Sequence, residues 1–179
     1  MKGSVDEDMA KEALCIMNEL AAWEQNMTES KPSEEKLVHP KDPHHYVWVW
    51  THWMVHQTAR ILASDIVVNR ARARALLTAS ISNIAILDDA ISSQAKLCEV
   101  LRKRTESQLD EFKSMSAGVA TIASYDLLWP LFVLAAGTST TSETMAWVIR
   151  SSDEIADKFG IRQAKLFGDG MRQIYKPGI

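Results

Sequence analysis

The chain has 179 residues, of which 46% are hydrophobic and 24% charged, and its formal net charge at neutral pH is −3. Length and composition predict a single globular domain, residues 1–179, that is long enough to bury a core. The slightly acidic balance does not favour direct binding to nucleic acid, which usually requires a basic face.

Glycine and proline are scarce inside the long segments, and no extended apolar/polar alternation is present. These features predict an all-α fold, a single-domain bundle of about six to seven helices. The two cysteines, Cys15 and Cys98, lie outside metal-ligand spacings, and the acidic start lacks the apolar centre of a signal peptide. The longest apolar run, residues 127–136, is about half of the roughly 20 residues that cross a bilayer. We therefore expect an intracellular, cytoplasmic protein with reduced thiols and no membrane association.

Two helices joined by a long loop are predicted for the first part of the chain. Residues 7–27 form the first helix, because apolar side chains recur on one face at helical spacing. Residues 28–43 contain three prolines, and a loop of about 15 residues is more typical of a lid than of an idle connection. A second helix begins near Pro43, which suits a first turn, and continues to about residue 69.

The middle of the chain predicts a third helix over residues 72–90 and a fourth that runs through residue 113. Residues 118–136 form the most apolar helix. Pro130 lies inside it and should kink it or end it early, because proline removes a backbone donor and clashes one turn back.

Capping residues bound the last two predicted helices. Thr140 and Glu143 fit a capping box, with Thr140 as the cap and Glu143 reaching back. That helix is expected to end at Gly160, which is a good C-terminal stop. A final helix covers about residues 161–175.

Residues 39–56 concentrate the side chains that could carry chemistry. All five histidines fall there, together with three of the six tryptophans. At about 100° per residue, His45, His52 and His56 share one stripe of the second helix. The stripe ends in Ala59 and Ala63, small residues that would leave room beside it. Bulky apolar side chains fill the opposite side and serve the core, so the histidine face predicts a small-molecule pocket.

Two kinds of chemistry are open to this stripe. His52 and His56, spaced i and i+4, could share a metal ion, but no Cys, Asp or Glu lies on the stripe to complete a site, and we predict no metal. Either imidazole could instead act as an acid or base near neutral pH, beside a pocket wall formed by Trp48, Trp50 and Trp53. The alternative is that these side chains only pack or hydrogen-bond in the interior or at the surface.

Asp126 is the second candidate, since it lies among strongly apolar residues. A carboxylate in such surroundings must be paired or held in its protonated form. One interpretation is an orienting acid that faces the histidine stripe. The other is a structural carboxylate at a helix end or paired with Arg60. In the first interpretation, further contacts to substrate come from His45, Arg60, Tyr125 and Trp129.

The second half of the sequence resembles the regulatory region of fungal transcription factors of the zinc binuclear cluster class. The likeness is carried by YDLLWPLFVLAA at 125–136, WVIR at 147–150 and FGIRQA at 159–164, with TARIL at 58–62 upstream, and it covers about residues 45–175. The resemblance implies an all-α region that receives or transmits effector signals. The six-cysteine DNA-binding module of that family is absent from this sequence, so direct DNA binding does not carry over.

Two functions are compatible with these patterns. The first is a cofactor-independent cyclase or isomerase of fungal secondary metabolism, with His52, His56 and Asp126 as catalytic groups and a hydrophobic substrate. No phosphate loop or nucleophile elbow is present, so no cofactor is predicted. The alternative is a non-catalytic regulatory domain that binds an effector or a protein partner, located in the nucleus. A purely structural helical homodimer is a third alternative.

Overall fold

The structure, a computed structural model, describes residues 2–29, 43–78 and 81–175. Within these residues the backbone forms seven helices and no strand, which confirms the predicted all-α bundle. The helices in chain order are α1 (Lys2–Glu29), α2 (Pro43–Thr78), α3 (Ile81–Phe112), α4 (Ala117–Asp126), α5 (Leu128–Ala136), α6 (Ser142–Phe159) and α7 (Arg162–Ile174). Most of the predicted loop or lid, residues 30–42, lies outside the described residues.

Helices α2 and α3 form a long antiparallel pair. Thr105 donates to the Sδ of Met54 at one end of the pair, and Gln94 donates to Ser64 further along it. The predicted breaks after residue 69 and after residue 90 are wrong, because both helices continue through them. Alanine, arginine and leucine dominate residues 70–77, and these strong helix formers are not interrupted by glycine or proline.

The core lies where α2 to α6 meet. Fully buried aliphatic side chains come from each of these helices and from the α4–α5 junction, and burying each one stabilises the fold by about 1.5–3 kcal/mol. They include Ile61, Leu101, Leu127, Leu131 and Ile155.

The helical pattern is interrupted at Leu127, between α4 and α5, as Pro130 predicts, and this interruption is called the kink below. Pro130 lies in the first turn of α5, where a missing backbone donor costs little. The continuous segment Ala117–Ala136 is long and apolar enough to cross a membrane by length and composition. However, 44% of its most apolar window is buried inside the protein, and core helices of soluble proteins meet the same criterion.

The turn before α6 differs by one residue from the predicted cap. Thr141, rather than Thr140, is the N-cap, and its Oγ1 accepts a hydrogen bond from the Thr144 amide at 3.1 Å. The Thr140 hydroxyl faces back and contacts the carbonyl oxygen of Gly137 at 2.7 Å, which closes the turn. The predicted end of this helix at Gly160 is confirmed: Gly160 has a left-handed φ of 70°, which glycine adopts at little cost.

A polar cluster fixes the same turn to the α2–α3 pair. Asp65 Oδ1 accepts hydrogen bonds from the Gln94 amide at 2.5 Å and from the Thr138 backbone N–H at 3.0 Å. The hydroxyls of Thr138 and Ser139 donate to the Gln94 side-chain oxygen. Because Gln94 is fully buried, these partners satisfy an amide that would otherwise destabilise the core.

Candidate binding groove

A groove of about 490 Å³ opens between α2, the α4–α5 kink and α7. Its volume falls within the range of small-molecule sites, roughly 300–1,000 Å³. Most of its lining is aliphatic or aromatic. The lining residues are Thr51, Met54, Val55, Tyr125, Asp126, Leu128, Trp129, Pro130, Phe132, Gln163 and Phe167. The groove is lined by α2 and by residues 125–129, the two segments named in the sequence prediction, but the face of α2 that lines it is not the histidine face.

Asp126 contributes the carboxylate of the groove. It is half-buried at the last residue of α4, and its Oδ2 accepts a hydrogen bond from the Thr51 hydroxyl at 2.8 Å. This places Asp126 at a helix end, one of the two structural positions suggested by the sequence, with Thr51 rather than Arg60 as its partner. Pro130 also cannot donate the helical hydrogen bond to the Asp126 carbonyl oxygen, because proline has no N–H.

Aromatic rings form the outer wall. Trp129 and Phe132 stack with centroids 5.7 Å apart, and Phe132 contacts Phe167 of α7 at 6.3 Å. Trp129 is anchored to α2 because its Nε1–H donates to the Thr58 hydroxyl at 3.1 Å. Trp129 and Phe132 nevertheless leave 48% and 47% of their surface exposed, as does Tyr125 with 52%. Large aromatic side chains that are fixed by neighbouring contacts but remain about half exposed are typical of ligand-binding surfaces.

His56 lies on the other side of α2, against α1. Its Nε2 lies 2.6 Å from the Leu20 carbonyl oxygen, and its Nδ1 lies 3.3 Å from the Gln57 amide nitrogen. A neutral imidazole that donates from Nε2 and accepts at Nδ1 satisfies both contacts. Its ring is buried and lies 4.6 Å from the ring of Trp23. The Nε2 contact therefore joins α2 to α1, while the Nδ1 contact stays within α2, and the histidine face of α2 lies against α1.

The other described side chains that were predicted for the site also lie away from the groove. His52 is exposed on the face that it shares with His56. Trp50 and Trp53 contact each other edge to face at 5.7 Å, and the Arg104 guanidinium lies 5.7 Å from the Trp50 ring. Arg60 is half-buried; it is nine residues from Thr51 and so projects from the opposite side of α2. The side chains of His45 and Trp48 lie outside the described residues.

Of the eight predicted site residues whose side chains are described, three line the groove, namely Tyr125, Asp126 and Trp129. It missed Thr51, Val55, Phe132 and Phe167. A signal for the first two was present, since Thr51, Val55 and Thr58 share a helical face at spacings of four and three residues. No local signal marks Phe167, which reaches the groove only because α7 folds back beside α5.

The part of the chain that the structure describes contains no group of three His, Cys, Asp or Glu side chains placed to hold a metal ion. No protein-family model, curated protein or solved structure matches the chain. The protein is therefore an all-α bundle with a mostly apolar groove, and the Asp126 carboxylate is part of the described lining.

Proposed function

We propose that this chain is a non-catalytic regulatory domain that binds a hydrophobic small-molecule effector in the groove. The observation that carries the proposal is the composition of the lining, which offers aromatic walls and one carboxylate on Asp126. Acid–base catalysis usually needs a titratable group within hydrogen-bond reach of the reacting atoms. His56, the histidine expected to serve, is committed to Leu20 and Gln57 behind α2.

The sequence resemblance to the regulatory region of zinc binuclear cluster factors supports the same proposal. In that family an all-α region receives effector signals while a separate module binds DNA. Residues 125–132, which belong to one of the stretches that carry the likeness, supply Tyr125, Asp126, Trp129 and Phe132 to the groove. A bound effector would contact α2, the kink and α7 at once, so it could change how these helices pack.

A cofactor-independent cyclase or isomerase is the second candidate, and Asp126 is the observation that favours it. A carboxylate at the edge of an apolar groove can exchange a proton with a bound hydrophobic molecule, and the aromatic wall could hold a reactive conformer. In this version Asp126 is the catalytic group. His56 would act only if α1 moved away from α2, and His52, although exposed, does not line the groove.

Binding in the groove can be tested with Nile red, a neutral dye whose fluorescence rises in apolar surroundings. We expect saturable binding to the wild type and at least about fivefold weaker binding to Val55→Gln, which makes the wall polar. Ile84→Gln is the matched control, because Ile84 is similarly exposed (46%, against 54% for Val55) and lies outside the groove. Equal binding by the two variants would overturn the proposal.

The two candidate functions differ in turnover. Wild type and Asp126→Asn are incubated with acyclic polyenes, and the products are separated by chromatography. The regulatory proposal predicts that every polyene is recovered unchanged. A cyclised or isomerised product that forms with wild type and is lost in Asp126→Asn would instead establish the enzyme. The double variant His52→Ala/His56→Ala then tests whether either histidine takes part.

A further inference from the structure

The described lining of the groove carries a negative charge and no positive charge. Among the described residues that line the groove, Asp126 is the one with a formal charge, and that described set contains no lysine, arginine or histidine that would neutralise it. The remaining polar groups of the lining, those of Thr51, Tyr125 and Gln163, are neutral. A ligand that brings a negative charge into this groove would face a carboxylate at short range, while a positive charge would be attracted.

The carboxylate also keeps hydrogen-bonding capacity. Thr51 donates to Oδ2, and a carboxylate has about four lone-pair positions on its two oxygens. Half-buried carboxylates are stabilised by further donors, and charge-assisted N–H···O bonds are among the strongest available. Oδ1 is therefore suited to accept from a ligand, next to the edge of the Trp129 wall.

The aromatic side chains of the groove also favour a positively charged ligand. Faces of Trp, Tyr and Phe attract cations within about 6 Å of the ring centroid, and Trp does so most strongly. Tyr125 and Trp129 flank Asp126 in the chain, and Phe132 extends the wall by stacking on Trp129. A groove lined by a carboxylate and by exposed aromatic rings is suited to organic cations.

We propose that the ligand of the groove is a hydrophobic molecule that carries a protonated amine. The ammonium group donates to Asp126 Oδ1 and lies against the rings of Trp129 and Tyr125, while the apolar body lies along Val55, Phe132 and Phe167. A volume of about 490 Å³ accommodates a small aromatic or polycyclic amine. This inference rests on the proposed function, since it names the chemical class of the effector.

Three probes with the same apolar body test the inference: 4-phenylbutylamine, 4-phenylbutanol and 4-phenylbutyrate. Affinities are measured by isothermal titration calorimetry at one pH near neutrality. The amine should bind wild type about tenfold more tightly than the alcohol, and the carboxylate more weakly than either. In Asp126→Asn, which keeps an oxygen that can accept from Thr51, the advantage of the amine should fall to about twofold or less. Asp89→Asn, an exposed carboxylate on α3, is the matched control and should keep the full advantage.

The possible failures are distinct. If amine and alcohol bind wild type equally, or if the amine keeps its advantage in Asp126→Asn, the groove binds hydrophobic molecules without selecting a cation and the inference is overturned. If none of the three probes binds, both the inference and the proposed function are overturned. The comparison of probes on wild type needs no variant, so it decides the matter even if Asp126→Asn does not fold.

Discussion

The hydroxyl of Thr51 lies 2.8 Å from Oδ2 of Asp126, and this contact joins the second helix to the kink between α4 and α5. The two residues are 75 positions apart in the chain. Their contact fixes the carboxylate at the edge of the groove, so it has both a structural and a functional consequence. The Thr51 hydroxyl also lies 2.9 Å from the Val47 carbonyl oxygen, which gives it a second acceptor on its own helix.

Replacing Thr51 with valine should lower the free energy of unfolding by about 1 kcal/mol, because valine keeps the shape and removes the hydroxyl. Thr51→Ser keeps the hydroxyl and should lose less. Urea denaturation followed by circular dichroism measures both. If Thr51→Val is as stable as wild type, the hydrogen bond to Asp126 does not hold the kink against α2.

His56→Ala should lower the free energy of unfolding by about 2 kcal/mol, since it removes the contacts to Leu20 and Gln57 and leaves a gap beside Trp23. His52→Ala, at an exposed position one turn away, should change stability by no more than about 0.5 kcal/mol. Affinity for 4-phenylbutylamine should be the same in both variants and wild type. If His52→Ala folds but no longer binds 4-phenylbutylamine, the binding site is on the histidine face and not in the groove.

Gln94→Ala should destabilise the fold by about 3 kcal/mol, because it removes the acceptor of the Ser139 hydroxyl and a donor to Asp65, and opens a cavity between α2 and α3. Ser93→Ala, at the neighbouring exposed position, should have little effect. Thermal unfolding of the two variants provides the comparison. Equal melting temperatures would contradict the role assigned to the polar cluster around Asp65.

Stability should fall in alkaline solution for a reason specific to Cys98. Burial, and then the negative charge of Asp65, raise the pKa of the Cys98 thiol from its ordinary 9.0 to about 11. Between these values the unfolded thiol has lost its proton while the folded thiol keeps it, so the folded state becomes less stable as pH rises. Guanidinium unfolding at about pH 8 and about pH 10 should show a smaller loss for Cys98→Ala than for wild type. Equal losses would show that Cys98 is not the cause.

Much of the helical order could be predicted from local chemistry. Pro130 predicts the kink at Leu127, because its ring clashes with the preceding turn of the helix and its nitrogen has no hydrogen to donate. Gly160 predicts the end of α6, because glycine readily adopts the left-handed backbone conformation found at this position. The predicted breaks near residues 70 and 90 are wrong, because both helices continue through polar and charged residues there. Charge alone does not stop a helix.

The site was harder to predict, because a helical wheel gives the face of a residue and not the neighbour of that face. His52 and His56 do share a stripe, as predicted, but α1 lies against it at Leu20. The apolar side of α2 that was assigned to the core divides between α3 and the groove, and Met54 contacts both. Only the packing of α1 and α7 decides which face stays open, and that packing depends on contacts far apart in the chain.

The central claim is that ligands enter the groove beside Asp126 and not the histidine face. The most direct measurement is a ¹³C–¹H spectrum of methionine methyl groups during titration with 4-phenylbutylamine. Met54 lines the groove, whereas Met145 is buried in α6 outside it. We predict that the chemical shift of the Met54 methyl signal changes with ligand concentration and gives the same affinity as calorimetry. The Met145 methyl signal should not change. A probe that binds, leaves Met54 unchanged and moves the ring signals of His52 or His56 would contradict the account.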